Sequence, residues 1–416
     1  MKIDEKQYEK ELKFLRDPKL ISNVVKLVHD QGVKGNKEVI LAIIATCAGK
    51  LVKNKNGYST NLGIIDRSSS GKDFIISCCN KIIFSNHWDK EDMLSPTSIT
   101  YKENMTEHTI NYMRDASQDF FKSPDCKGLF EGNCNITRTM PDRKRKELWI
   151  PLMTNIFTTA QSFLGEEVTA RSSIVYMNTT EKHIEEVQEW QNWSNTPEGI
   201  KVQKIDEKVK LADYAFRVLE KTLDRQIEDK IIFEPIEVAI PKEVRDYANK
   251  IVPKSNILDM QRLNAKFNDF IKFFTVLHYY QRVKDKDNLL IATKIDAAWA
   301  SVIFNFMYRP KGANKIVLLT AMEKELRDNI MNNHKNPTEG ITIKEMYKWN
   351  CVPSSLHSES VRYHLNKIQK ADKGLQIQRT GKESYYYYTN VVEIDTKVKE
   401  ISDKNGDNIG YFDFES

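Results

Sequence analysis

Asn61-Leu62-Gly63-Ile64-Ile65-Asp66-Arg67-Ser68-Ser69-Ser70-Gly71-Lys72-Asp73-Phe74-Ile75-Ile76 passes from an apolar strand through a loop of small residues closed by Gly-Lys and into a new helix. A loop of this layout turns successive backbone N–H groups and the N-terminus of the following helix toward one anion, while its lysine reaches the β- and γ-phosphates of a nucleotide. Arg67, Ser68, Ser69, Ser70, Gly71, Lys72, Asp73 and Phe74 are therefore the candidate nucleotide-binding residues, with Lys72 foremost. The loop departs from its consensus twice. Asp66 stands where the first glycine is expected, and Asp73 stands where a Ser or Thr hydroxyl normally binds Mg²⁺. The Asp73 carboxylate is then either an adapted Mg²⁺ ligand or a charge that repels the triphosphate. The plainer alternative is a polar turn capped by Gly71; three serines and Gly-Lys between an apolar strand and an apolar helix favour the phosphate loop.

A chain of 416 residues exceeds the size at which one hydrophobic core stops growing, so two or three domains are expected. Hydrophobic residues make up 40% and charged residues 29%, the balance of a globular protein, and no apolar run approaches the roughly 20 residues of a membrane span. The opening Met1-Lys2-Ile3-Asp4-Glu5-Lys6 has no apolar leader, which predicts a cytoplasmic protein. Six cysteines contain no C-x-x-C pair and no histidines at finger spacing, which argues against a zinc site and for reduced thiols. A net charge of +5 is too mild to imply nucleic acid by itself. Its distribution says more.

Upstream of the loop, residues 8–29 and 37–53 carry apolar residues at helical spacing, so that residues 1–56 read as an N-terminal helical segment. Helices that lead into a strand, a Gly-Lys loop and another helix predict an α/β core over residues 57–250. Within it, Lys127-Gly128-Leu129-Phe130-Glu131 reads as a short strand ending in an acid, and the run from Ser172 to Thr180 as a β-branched strand ending in polar residues. Ligands of such sheets bind beyond the carboxyl ends of the strands. On that reading Glu131 orients an attacking water or helps hold the metal, and Asn178 bonds the γ-phosphate or that water. The plainer readings are an exposed strand-end acid for Glu131 and a helix cap for Asn178. Residues 259–282 and 289–308 are two amphipathic helices, and 251–312 reads as a helical lid.

The last hundred residues change character. Helices are expected at 315–332, at Ile341–Tyr347 and at Ser358–Ile368, followed by two β-runs around Thr380-Gly381-Lys382. Three helices and a hairpin predict a winged helix over residues 313–392, with Lys344, Ser358, Arg362, His364 and Lys367 toward duplex DNA and Arg379 and Lys382 on the wing. Residues 313–390 hold twelve Lys and Arg against eight Asp and Glu, whereas 391–416 hold three against seven. Residues 393–416 therefore read as an acidic, flexible tail.

Taken together, Ser68-Ser69-Ser70-Gly71-Lys72, the acid at Glu131, Asn178-Thr179-Thr180, Asp259-x-x-Arg262 and the terminal winged helix resemble AAA+ P-loop ATPases. The nearest likeness is to minichromosome maintenance type helicases and the replication ATPases of archaeal and viral mobile elements. The resemblance spans roughly residues 20–390 in order. It implies Lys72 as the Walker A lysine, Glu131 as the Walker B acid, Asn178 as sensor 1 and Arg262 as sensor 2, with ATP and Mg²⁺ as cofactors. It also implies a homo-oligomer, no membrane association and a DNA partner, which Arg143, Lys144 and Arg145 would touch from a loop in a central channel. The pattern departs at Walker B, where Phe130-Glu131 replaces Asp-Glu, and no arginine lies between Glu185 and Trp193 to act as a finger. Loss of such an arginine costs several orders of magnitude in rate. Three functions follow: an ATP-dependent DNA-binding motor or replication initiator, a non-hydrolysing DNA-binding regulator or scaffold, and a small-molecule kinase. The last leaves the winged helix without a role.

Overall fold

The computed structural model describes residues 5–53, 58–67, 70–92, 109–139, 145–160, 166–177, 181–202, 206–227, 230–251, 257–308, 326, 329–330, 340–348, 357–371, 375–380 and 383–388. Two compact units emerge, one over residues 1–307 and the other over 308–407. The helices at either end of the first unit therefore belong to the same body as the sheet.

That unit opens with α1 (Glu5–Leu15) and α2 (Leu20–Asp30), one predicted helix broken at Asp17-Pro18, where proline disfavours helical geometry in its predecessor. Next come α3 (Lys37–Ala48), β1 (Thr60–Ile65) and α4 (Lys72–Asn80). Strands β2 (Trp88–Asp92) and β3 (Ile110–Arg114) follow, then α5 (Gln118–Phe121) and α6 (Pro124–Glu131). A hairpin of β4 (Cys134–Thr139) and β5 (Arg145–Ile150) precedes β6 (Thr154–Thr159), α7 (Glu166–Arg171) and β7 (Ser173–Tyr176). The unit continues through α8 (Glu181–Ser194), α9 (Pro197–Val202) and α10 (Asp206–Lys221), then the short strands β8 (Asp224–Ile227), β9 (Lys230–Phe233) and β10 (Val238–Ala239). It ends with α11 (Lys242–Ile251), α12 (Ile257–Leu277), β11 (Leu290–Ile291) and α13 (Lys294–Tyr308).

Five strands form one parallel sheet in the order β2-β3-β6-β1-β7, so β1, the strand that leads into the Gly71-Lys72 loop, is interior. Helix α3 is apolar all round and buried from Val39 to Ala48, as a helix enclosed on every side must be. Its neighbours include β1, β6, β7 and α12. On β1, Leu62 and Ile64 alternate with Gly63, where a β-carbon would meet the Phe157 ring at 2.5 Å. Glycine is needed there for close packing. Phe157 belongs to a second core layer with Phe120, Phe121, Leu129 and Phe130, under α5 and α6.

The first strand reading at 127–131 is corrected: those residues are the end of α6. Ser123 accepts from the Cys126 N–H as N-cap and Pro124 occupies the first helical position, both start signals for a helix. A five-residue apolar run has no periodicity that separates strand from helix, and the cap decides.

The second unit comprises the helices Ile343–Lys348 and Ser358–Ala371 and the antiparallel hairpin Leu375–Thr380 with Glu383–Tyr388. Ile341 bridges to Tyr386, and a core of Ile341, Met346, Val361, Leu365, Ile368, Leu375 and Tyr386 holds these pieces together. Val361, Leu365 and Ile368 face inward as the spacing requires.

Candidate functional site

Connections decide where a parallel sheet can bind. The chain leaves β1 for the far edge at β2 and returns through β3 and β6, then crosses β1 to reach β7. The connections leaving β1 and β6 therefore run in opposite directions, and the crevice beyond the carboxyl ends of these two strands is where open α/β sheets take ligands. The loop after β1 lies there: the Asp66 N–H donates to Thr159 O at 3.2 Å, tying the loop to the end of β6.

Gly71 has φ +85° and caps α4, while a β-carbon on it would meet nothing within 4 Å. Its conformation, not crowding, calls for glycine. Lys72 begins α4 and is only 4% exposed, with Nζ donating to Asp66 O at 3.0 Å and Arg67 O at 2.9 Å. The ammonium is thus folded back onto carbonyls of its own loop, which a phosphate can replace as acceptor. Ser70 Oγ and Asp66 Oδ2 are buried without a partner in the same loop. Arg67 is exposed, Phe74 is 45% exposed with its ring 6.5 Å from Trp190, and Ser68 and Ser69 lie outside the described residues.

Asp73 is held by three donors. Oδ1 accepts from Tyr112 Oη at 2.5 Å and from Thr158 Oγ1 at 3.3 Å, and Oδ2 from Arg114 Nε at 2.9 Å. Burial, then the hydrogen bond and charge of Asp73, pushes the Tyr112 phenol well above its ordinary range, so it remains a donor. Thr158 also accepts from the Asp115 N–H at 3.0 Å, which places the Asp115 carboxyl group's residue at this same crevice. Tyr112, Arg114, Asp115 and Thr158 are the site residues that sequence reasoning missed. The available signal was an apolar strand at 110–113 ending in Arg-Asp, and a second ending in Thr-Thr.

The remaining expected residues fall elsewhere. Glu131 pairs with Arg171 Nη2 at 2.5 Å, and its carbonyl accepts from Ser59 N–H at the amino end of β1, the end of the strand away from Lys72. Arg171 there borders a cavity of about 380 Å³ with Tyr58, Asn61 and Lys266. Arg262 lies on α12 as backbone only; one turn on, Lys266 donates to Ser172 O at 2.8 Å, before the amino end of β7. Asn178, Arg143, Lys144 and Lys382 lie outside the described residues, and Lys367 and Arg379 are described as backbone only. Arg145 is exposed at the tip of the β4–β5 hairpin, on the face that also carries Trp149, 52% exposed. Lys344, Ser358 and Arg362 are exposed and His364 is half-buried in the second unit.

The resemblance implies Mg²⁺ beside Lys72. The donor set does not fit a divalent cation at Asp73, because both carboxylate oxygens already accept hydrogen bonds and one partner is a guanidinium. Glu131, the other expected ligand, is at the opposite end of the sheet. Among the described residues no group of three or more His, Cys, Asp or Glu could hold a metal ion, and no helix is long and apolar enough to cross a membrane. No protein-family model matches the chain, and no curated protein matches its sequence.

Proposed function

We propose that residues 1–307 bind a nucleoside triphosphate beyond the carboxyl end of β1, that residues 308–407 bind duplex DNA, and that the chain works as an ATP-dependent DNA-binding motor or replication initiator. The observation that carries the nucleotide reading is Lys72: a buried ammonium at the start of α4, behind a left-handed glycine, at the reversal point of a parallel sheet. Lysine is rarely this buried without a charge to serve. Support for nucleic acid comes from the β4–β5 hairpin, whose outward face carries the exposed Trp149 as a stacking surface and, beyond Glu147, the exposed Arg145, and from the helix Ser358–Ala371, which buries one apolar face and exposes Arg362 and Tyr363.

A second reading, a non-hydrolysing nucleotide-dependent DNA-binding scaffold, is favoured by a specific observation. Hydrolysis needs a group that orients water, and Glu131 is placed at the amino end of the sheet and engaged by Arg171. Asp115, whose N–H donates to Thr158 Oγ1, is a candidate for that group at the carboxyl end of the sheet, where Asp73 is already engaged. ATP turnover by the full chain, with and without DNA, separates the two: DNA-stimulated turnover lost in Asp115→Asn supports the motor, and nucleotide binding without turnover supports the scaffold.

A further inference from the structure

We propose that residues 1–307 carry a second binding site, at the end of the sheet away from Lys72, for a small uncharged heteroaromatic molecule. The site is the cavity of about 380 Å³ enclosed by the amino ends of β1 and β7 and one face of α12. It does not depend on the nucleotide reading.

Buried polar contacts fasten the walls of this cavity to one another. Asn61 on β1 is 5% exposed, and its Nδ2 donates to Phe130 O at 2.9 Å and to Arg171 O at 3.1 Å, which holds the ends of α6 and α7 against the strand. Lys266 Nζ donates to Ser172 O at 2.8 Å and so joins α12 to the residue before β7. Four elements distant in sequence are thus fixed around one space. Small-molecule sites are concave, mostly apolar and largely formed before the ligand arrives, with volumes of roughly 300–1,000 Å³. A cavity near the lower end of that range admits a fused ring and is too small for a peptide or a dinucleotide.

The lining sets the chemistry of the ligand. Phe270 and Phe273 are buried on the α12 side, and Tyr58, 59% exposed, stands where the cavity meets solvent. Aromatic side chains contribute most to a flat partner that stacks on them or meets them edge to face. Thr46, Thr60 and Ser173 add hydroxyl-bearing residues to the same lining, and a hydroxyl both donates and accepts, as the edge of a heterocycle requires. The charged lining residues already have partners. Arg171 Nη2 pairs with Glu131 at 2.5 Å, Asp269 with Lys272 Nζ at 3.3 Å, and Lys266 is engaged by the Thr169 and Ser172 carbonyls. An ionised ligand would lose its hydration and disturb those contacts, whereas an uncharged ring leaves them in place.

Calorimetric titration of the full chain with adenine, an uncharged fused ring, and separately with benzoate, a charged ring, tests this. Wild type is expected to bind adenine with a dissociation constant below about 1 mM and benzoate at least about tenfold more weakly. Tyr58→Ala, at an exposed position, should weaken adenine binding by about fivefold or more through the lost ring contact. Ala265→Leu, confirmed folded by circular dichroism, places a larger side chain in the lining and should weaken adenine binding by about tenfold or more, yet bind a labelled ATP analogue as wild type does. Absence of adenine binding by the folded wild type, or adenine affinity unchanged in both variants, would overturn the site. Benzoate bound as tightly as adenine would overturn the class of ligand assigned to it. Adenine bound as expected by a wild type that takes no ATP analogue would uphold this site and overturn the nucleotide reading alone.

Discussion

Asp296, fully buried at the start of α13, shows how much of this fold's polar chemistry is spent on holding helices. Its carboxylate accepts from His278 Nδ1 at 2.7 Å and from Arg282 through Nη2 at 2.6 Å and Nε at 2.8 Å, and Thr293 adds its N–H and hydroxyl as an N-terminal cap. Burial pushes this carboxyl upward, but the hydrogen bonds and charges of His278 and Arg282 win and hold it well below the usual range. His278 itself is lowered, chiefly by burial, against the hydrogen bond to Asp296. Burial likewise lowers His29 and His183. A group whose folded pKa is depressed contributes stability above its unfolded pKa and loses it as pH falls through the folded value. The three histidines therefore act together from about pH 6.5 downward, and Asp296 only in much stronger acid. Thermal melts should show the midpoint falling between pH 7 and pH 5, with a smaller fall in His278→Gln; a flat midpoint across that window would contradict the assigned burial effects.

Among the elements, the β4–β5 hairpin joins two kinds of surface. Cys134, Ile136, Leu148 and Ile150 pack toward the core beneath α6, and the alternate positions Asn135, Thr137, Arg145, Glu147 and Trp149 point outward. Because Trp149 is half exposed, Trp149→Ala should leave the unfolding midpoint in place while weakening single-stranded DNA binding by roughly 1–3 kcal/mol, the value of one stacked base. Equal affinity for an oligonucleotide would remove the hairpin from the nucleic-acid surface.

The same elements show what a sequence can and cannot convey. The passage from β1 through Gly71-Lys72 into α4 was legible because turn chemistry and apolar periodicity are local, and the inward face of Ser358–Ala371 was legible for the same reason. The strand reading of 127–131 failed where a capped helix and a short strand share an apolar run. The Asp73 network could not be read at all, since Tyr112, Arg114 and Thr158 meet it only through the pairing of β3 with β6. Nor could the buried ladder in which Asn111 donates to Asn155 and Asn155 to Asn61. Two of these asparagines also donate to Leu129 O and Phe130 O and so cap the end of α6. Buried asparagines resemble surface residues until sheet register places them opposite carbonyls.

At the scale of the whole molecule, the chain couples a unit with a candidate phosphate site to a unit with a candidate duplex-reading helix. The nucleic-acid binding proposed for the second unit would rest on phosphate neutralisation, so affinity should fall steeply with salt. In gel-shift titrations of the full chain, Arg362→Ala with Lys344→Ala should weaken duplex binding and reduce the logarithmic salt slope by about two, one per lost phosphate contact. Deleting the acidic residues after Val392, which lie outside the described residues, should strengthen binding most at low salt, where a tethered anion competes best. Unchanged affinity and slope in both variants would leave that unit as a protein-docking module. The central claim concerns Lys72, and equilibrium titration of wild type and Lys72→Ala with a labelled ATP analogue tests it most directly. Saturable wild-type binding that Lys72→Ala abolishes is the predicted result; equal affinity in both proteins, or none in the folded wild type, would contradict it.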